Sequence, residues 1–431
     1  MQQIIHPVRS LQGEMTVPGD KSISHRAIML GALAEGTSKI RGFLHGEDCL
    51  STLQIFKALG VPIEMTKDEI IVKGVGLDGL TEPEDVLNVG NSGTTMRLVS
   101  GILAGQTFNS FLTGDASIRK RPMGRIIEPL TKMGAKITGR KANTLAPIAI
   151  AGQPLQAITY RTPVASAQIK SAILLAGLYA QGWTTVYEPA LSRNHTELML
   201  RAFGAEVRML PDGVCVKGRP HLKGQTLTIP GDISSAAYLL VAGAIVADSR
   251  IILKNIGLNP TRTGIIEVLQ QMGAKLTILD QWDSGGEQMG TLLIESSALQ
   301  GITISGAIIP TLIDEIPVIA VAAAYAQGVT EIRDAQELKV KESNRLETIA
   351  QGLSAFGCKV EVLEDGLRIE GGSPLQGAHC QSHGDHRIAM AMAVAALAAQ
   401  GPTVIDDFEA IAVSWPKFWD ELQQLAGVAH D

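Results

Sequence analysis

The sequence predicts a mixed α/β protein of two pseudo-symmetric domains, each built from three repeats, with an active-site cleft between them. Three observations carry that prediction. One phrase, Leu-x-x-apolar-Gly-Ala/Val-x-Val/Ile, recurs six times along 431 residues. A second phrase, apolar-Pro-Gly-Asp before a Ser- and Ala-rich apolar run, stands at Val17–Asp20 and again at Ile229–Asp232, half a chain away. The composition, 45 glycines against only 4% aromatic residues, suits many tight turns around Ala, Leu and Ile cores.

The copies of the first phrase lie at Lys57–Ile63, Leu130–Ile137, Leu200–Val207, Leu269–Leu276 and Leu353–Val360, with a degenerate sixth at Leu422–Val428. Each reads as the end of an amphipathic helix, a glycine in the left-handed C′ position, and the start of an apolar strand. The six glycines are Gly60, Gly134, Gly204, Gly273, Gly357 and Gly427. Short β-patterned runs follow, such as Glu69–Val72, Val214–Val216 and Leu367–Ile369. The period is longer than that of ordinary solenoids, so six self-similar folding units are expected. The two Pro-Gly pairs are the natural crossing points between domains. They divide the chain into 1–19 with 230–431, and 20–229.

A net charge of −6 removes any general attraction to nucleic acid or anionic membranes. Exposed aromatic platforms are also missing, so no nucleic-acid partner is expected. Cys49, Cys215, Cys358 and Cys380 form no C-x-x-C pair and fit neither a zinc site nor a disulfide framework. Reduced thiols in a cytoplasmic protein are the expectation. No stretch is long and apolar enough to span a bilayer, and the N-terminus has no apolar core of a secretion signal.

Four stretches concentrate cations and small polar residues. Pro18–Arg26 (P-G-D-K-S-I-S-H-R) opens a helix with Lys21 and Ser22 and places Arg26 one turn later, a cradle for phosphate or carboxylate. It is not a P-loop, because the required Gly-Lys pair is absent. Gly90–Leu98 (G-N-S-G-T-T-M-R-L) is a glycine turn with directed donors leading into a helix. Asp115–Gly124 (D-A-S-I-R-K-R-P-M-G) sets three cations on a loop, one of which is expected to point inward. In Leu338–Glu347 (L-K-V-K-E-S-N-R-L-E), Lys341 and Arg345 are expected on one helix face, separated either by a bound anion or by Glu342. Asp314, in an apolar stretch, is a candidate for proton transfer, its pKa raised by burial. Arg387 follows Asp385 and His386 at the start of an apolar helix and invites an anion or a structural Asp partner.

Taken in order, these strings, with P-V-A-S-A-Q-I-K-S-A (Pro163–Ala172), K-E-S-N-R (Lys341–Arg345) and D-H-R-I-A-M (Asp385–Met390), resemble the EPSP synthase family of enolpyruvyl transferases. The resemblance runs from Gly13 to the C-terminus. It implies two domains of three βαβαββ units each. It also implies transfer of the enolpyruvyl group of phosphoenolpyruvate to shikimate 3-phosphate, with no metal and no organic cofactor. The oligomeric state is not written in the sequence, and a monomer is the default expectation. Lys21, Ser22 and Arg26 would then bind shikimate 3-phosphate, with Lys21 also reaching phosphoenolpyruvate. Gly93 and Arg121 would hold phosphoenolpyruvate, Ser166 shikimate 3-phosphate, and Gln168 both. Arg193 would meet the shikimate phosphate. Asp314 would be the base for the 5-hydroxyl and Lys341 a further contact to shikimate 3-phosphate. Glu342 would assist proton transfer, and Arg345 and Arg387 would clamp phosphoenolpyruvate. Two departures stand out: Ala167 replaces a Ser, and Ala412–Pro416 (A-V-S-W-P) lacks a Lys found in some relatives.

The nearest rival is a UDP-N-acetylglucosamine enolpyruvyl transferase, whose family carries a reactive Cys near the basic run. Asp115–Gly124 contains none. A nucleotide-using kinase or cyclase would need a P-loop or an acidic metal cluster, and neither pattern is present. A non-catalytic binder need not keep Lys21, Asp314, Glu342, Arg121, Arg345 and Arg387 together.

Overall fold

The computed structural model describes residues 1–66, 69–284 and 286–427. Six amphipathic helices end as the repeated phrase requires. They are Glu47–Ala58, Gly124–Lys132, His195–Ala202, Gly264–Gln271, Arg345–Ala355 and Phe418–Leu425. One C-cap residue follows each, and then the marker glycine, with φ between 67° and 102° at all six. The hydrogen bonds explain the rest of the phrase. In the second copy Gly134 N–H donates to Thr131 C=O and Ala135 N–H to Leu130 C=O, the paired bonds of a Schellman motif. The third, fourth and fifth copies repeat this pattern, with Leu200, Leu269 and Leu353 as acceptors. Val428, the end of the sixth copy, lies outside the described residues.

The first five glycine turns each feed a pair of neighbouring strands in a small sheet. The segment Thr159–Lys217 shows the unit best. Strand Thr159–Arg161 runs parallel to Trp183–Tyr187, joined across the helix Ala167–Gly177. Helix His195–Ala202 then leads to Val207–Leu210 and Gly213–Lys217, which pair antiparallel with each other. The latter also pairs antiparallel with Trp183–Tyr187. This is a βαβαββ unit, and the sheets holding Asn109–Thr113 and Gly328–Ile332 share its strand order. Other units borrow a strand from far along the chain. Thr226–Thr228 runs parallel to Glu35–Arg41, and Gln12–Thr16 parallel to Arg250–Gly257. Gln3–Ile5 closes the last sheet antiparallel to Thr403–Asp406.

The chain divides into two compact units. One holds Met1–Pro18, Pro230–Trp282 and Gln288–Asp431, and the other Gly19–Ile229 with Asp283–Glu287. Relative to the division read from the sequence, Gly19 and the short segment Asp283–Glu287 change sides. Both Pro-Gly-Asp phrases do the same local work: Asp20 Oδ1 accepts from Ile23 N–H and Asp232 Oδ1 from Ser234 N–H, capping the helix that follows. Gly19 is needed for its size, since a Cβ there would sit 1.9 Å from the Gly42 carbonyl oxygen.

Each unit has its own apolar core with three interior helices. In the second unit these are Lys21–Leu33, Gly93–Ala104 and Ala167–Gly177; in the first, Ile233–Ile245, Ile316–Tyr325 and His386–Leu397. They lack a polar face, so they are buried on all sides; every residue of His386–Leu397 is buried. Small residues bring them close: a Cβ on Gly101 would lie 2.2 Å from Ala172 C=O. Among the described residues, no single helix is long and apolar enough to cross a membrane.

Gly357 and Gly60 separate two effects at the repeated turn. A Cβ at Gly357 would meet no atom within 4 Å, so Gly357→Ala isolates the left-handed conformation and lowers stability by about 1 kcal/mol. At Gly60 the added Cβ would lie 2.4 Å from Thr81 Oγ1, so Gly60→Ala is the more damaging change. Urea unfolding midpoints measure both, and equal midpoints would contradict this account.

Candidate active site

Lys21, Ser22, Gly93, Ser166, Gln168, Asp314 and Arg387 lie at the N-terminal ends of interior helices, the other candidates lie on loops or neighbouring helices, and each unit carries one group. In the second unit, Lys21 and Ser22 form the first turn of Lys21–Leu33, and Lys21 Nζ donates to Asp48 Oδ2 at 2.9 Å. Arg26 is buried. It donates to the Ser22 carbonyl, to Thr196 Oγ1 and to Ser171 Oγ, at 2.6 to 2.8 Å. Burial pushes its guanidinium down to about 10, against the pull of Glu197 and Asp20. His25 beside it is held neutral by burial and by Lys21 and Arg26. A buried relay starts from it: His25 Nδ1 meets Thr52 Oγ1, Thr52 meets Thr95, and Thr95 O–H donates to Ser92, each at 2.7 Å. Ser92 caps the helix Gly93–Ala104, so this relay ties the Lys21 helix to the Gly93 helix.

Gly93 opens its helix between two guanidinium groups. A Cβ there would lie 3.2 Å from Arg121 Nη1 and 3.4 Å from Arg97 Nη1. Of the three loop cations, Arg121 turns inward and donates to Asn91 Oδ1 at 2.6 Å, while Lys120 is exposed. Arg97 donates to Gln168 Oε1, and Gln168 Nε2 donates to Thr94 Oγ1 at 3.1 Å. Gly93, Arg97, Arg121 and Gln168 are thus one cluster. Ser166 occupies the N-cap of Ala167–Gly177, one residue before that helix begins. Arg193 lies near enough to Arg26 to oppose its charge.

In the first unit, Asp314 sits in the break between Ile309–Leu312 and Ile316–Tyr325. Its Oδ1 lies 3.3 Å from Lys341 Nζ and 3.4 Å from Arg345 Nη1. Two cations thus face the Asp314 carboxyl group. Arg345 is fully buried and bidentate to Asp385 at 2.8 and 3.2 Å, with Nη2 also on Glu342 Oε2 at 2.6 Å. Burial works against its charge, but Asp385 and Glu342 outweigh that and raise its pKa. Arg387 donates to the Asp314 carbonyl at 3.0 Å. Its charge is likewise opposed by burial and held by Asp314, Tyr238, Glu315 and Asp232.

One local expectation is corrected. Lys341 and Arg345 do not share a helix face: Lys341 is extended after a short 3₁₀ turn, and a new helix begins only at Arg345. They meet because both reach Asp314, not through helical spacing. Sequence reasoning also passed over Arg97 and Asp48, and it read Asn91 as a donor where its Oδ1 accepts from Arg121. Arg97 had a signal, as a lone cation inside an otherwise apolar helix. Among the described residues, no group of His, Cys, Asp and Glu is placed to hold a metal ion.

A family profile described as EPSP synthase (3-phosphoshikimate 1-carboxyvinyltransferase) matches residues 5–422. A 3-phosphoshikimate 1-carboxyvinyltransferase of Desulforamulus reducens is 57% identical over 99% of both chains. One from Synechococcus sp. is 55% identical over 98% of this chain and 96% of its own. The solved EPSP synthase of Acinetobacter baumannii superposes with a TM-score of 0.89 at 47% identity, covering 100% of this chain and 99% of its own. The enolpyruvyl transferase NikO of Streptomyces tendae, at 18% identity and a TM-score of 0.79 over 98% of this chain and 96% of its own, shares the fold.

The Arg345–Asp385 pair has a pH signature. Burial opposes the Asp385 charge, but Arg345 outweighs it and holds the carboxyl below its ordinary value. Its stabilisation is therefore present above about pH 4 and is lost as the pH falls below that. Asp385→Asn is expected to lower stability at pH 7 by about 3 kcal/mol and to flatten the acid limb of the stability–pH curve. Denaturant melts between pH 3 and 7 measure both, and an unchanged acid limb would overturn the assignment.

Proposed function

The chain belongs to the EPSP synthase family, and from that premise we propose how its residues carry out the reaction. The enzyme transfers the enolpyruvyl group of phosphoenolpyruvate to shikimate 3-phosphate in the shikimate pathway. The 5-hydroxyl adds to the enol carbon while the methylene is protonated to a methyl group. The tetrahedral adduct then loses a methyl proton and expels phosphate. Such a sequence needs a base, an acid and fixed cations around developing negative charge.

In this reading Asp314 takes the hydroxyl proton. Glu342 and Lys21 move the proton at the methylene. Arg121, Arg345 and Arg387 hold the carboxylate and phosphate of phosphoenolpyruvate, with Gly93 leaving room for it. Lys21, Ser22, Arg26, Ser166, Gln168, Arg193 and Lys341 hold shikimate 3-phosphate, with Lys21 and Gln168 also reaching phosphoenolpyruvate. The observation that carries the reading is the buried Asp314 carboxylate between Lys341 and Arg345, with Glu342 on the same guanidinium. Base, acid and cations are thereby fixed against one another before substrate arrives. The cysteine-dependent sister reaction on UDP-N-acetylglucosamine is disfavoured, since all four thiols are buried outside Asp115–Gly124. Those buried thiols also suit the cytoplasm, and a monomer is part of the same proposal.

Phosphate release from the purified protein tests the reading. It should require phosphoenolpyruvate together with shikimate 3-phosphate, persist in EDTA, and fail with UDP-N-acetylglucosamine as acceptor. Asp314→Asn should lower kcat by about 10²- to 10⁴-fold with both substrates still bound. Full activity in that variant would remove Asp314 from the chemistry. Gly93→Ala should push against Arg121 and Arg97 and raise KM for phosphoenolpyruvate more than for shikimate 3-phosphate; an unchanged ratio would separate Gly93 from that substrate.

A further inference from the structure

A buried lysine in the second unit has no assigned role. Lys170 lies in the apolar helix Ala167–Gly177, with its side chain only 2% exposed. Its ammonium sits 2.7 Å from Glu188 and 2.8 Å from Glu197, both fully buried. It also donates to the Ser192 carbonyl at 3.2 Å. Glu188 holds the same serine from the other side: Ser192 O–H donates to Oε1 and Ser192 N–H to Oε2. Every polar group of Ser192 is therefore fixed by this one ion pair, and the next residue is Arg193.

The cluster continues toward Arg26. Ser171, next to Lys170, and Thr196, next to Glu197, share a 2.7 Å hydrogen bond, and both accept from the Arg26 guanidinium. Glu197 is the strongest attraction on the Arg26 charge. Lys170 and Arg26 thus offset the buried Glu188 and Glu197, while Asp20 and Glu287 also attract Arg26 and Arg193 opposes it. Ser166 and Gln168 stand on the same helix as Lys170, at its start.

We propose that Lys170 is a positioning residue for shikimate 3-phosphate, fixing the Arg193 loop and balancing the charge of Glu188 and Glu197 so that Arg26 and Arg193 can attract the phosphate. The inference rests on the substrate assignment above. A buried lysine that merely stabilised the fold would leave the affinities for both substrates unchanged in the protein that folds. A charge-balancing lysine acts differently. Without it, Glu188 and Glu197 lose their shared cation, and the field at the two arginines that must receive a dianion becomes more negative.

The test is steady-state kinetics on folded enzyme, with both KM values measured. Lys170→Met is expected to raise KM for shikimate 3-phosphate by about tenfold or more while KM for phosphoenolpyruvate moves by less than about twofold. Lys170→Arg should keep most of the affinity. The double variant Lys170→Met/Glu197→Gln removes one anion along with the cation, without restoring the hydrogen bonds to Ser192, and should recover part of the lost affinity. If Lys170→Met does not fold, Glu197→Gln alone decides, because removing one buried anion should lower KM for shikimate 3-phosphate. Equal effects on both substrates, or an unchanged KM in Glu197→Gln, would overturn the proposal. An inactive wild-type enzyme would instead overturn the substrate assignment on which it stands.

Discussion

An apolar helix buried on every side can present chemistry only at its ends, and the rest of this molecule follows from that constraint. Lys21–Leu33, Gly93–Ala104, Ala167–Gly177, Ile316–Tyr325 and His386–Leu397 have no solvated face on which to hang catalytic groups. Lys21, Ser22, Gly93, Ser166, Gln168, Asp314 and Arg387 all fall in or beside the first turns of these helices. There the unpaired backbone N–H groups and the helix dipole favour negative charge. An anionic substrate pair is the natural complement of such ends. The outer amphipathic helices and their glycine turns keep the interior helices dry and their ends in register.

Placing several cations at such ends has a cost, because charge removed from water must be balanced. The balance is local in each case. Lys21 has Asp48, Arg345 has Asp385 and Glu342, and Lys170 has Glu188 and Glu197. These pairs fix the orientation of the guanidinium and ammonium groups. Their value is orientation more than stability, since a buried ion pair roughly offsets its own desolvation. Asp385 thus holds Arg345, and Glu188 and Glu197 hold Lys170, in one orientation each.

Much of the fold was legible because its signals are local. A leucine, three residues and a left-handed glycine encode a Schellman turn, and six copies of the phrase announce six modules. The borrowed strands Gln3–Ile5, Gln12–Thr16 and Thr226–Thr228 were not legible. They are three to five residues long, and their partners lie far along the chain. The site shows the same division. Lys21 and Ser22 are readable from a helix start, while Asp48 is identified only by the Lys21 ammonium that reaches it. Lys341 and Arg345 were paired for the wrong reason, since i,i+4 spacing has meaning only inside a helix and Ser343 and Asn344 lie outside one.

The pseudo-symmetry of the two Pro-Gly-Asp phrases shows how one module supports different chemistry. Asp20 and Asp232 cap their helices alike, and Ser22 and Ser234 follow at the same distance. The next layer differs. In the second unit Lys21 stands between cap and serine and reaches Asp48. In the first unit that position is Ile233, and the cation comes from within: Arg262 donates to Asp232 at 3.1 Å and to Ser234 at 2.6 Å, and Ser234 O–H donates to Glu315. Arg262 and Glu315 are both buried, so this helix start is filled by the protein's own guanidinium and carboxylate. Glu315 is adjacent to Asp314. The same helix start therefore presents a half-buried lysine and serine in one unit, and in the other forms the internal brace beside the proposed base.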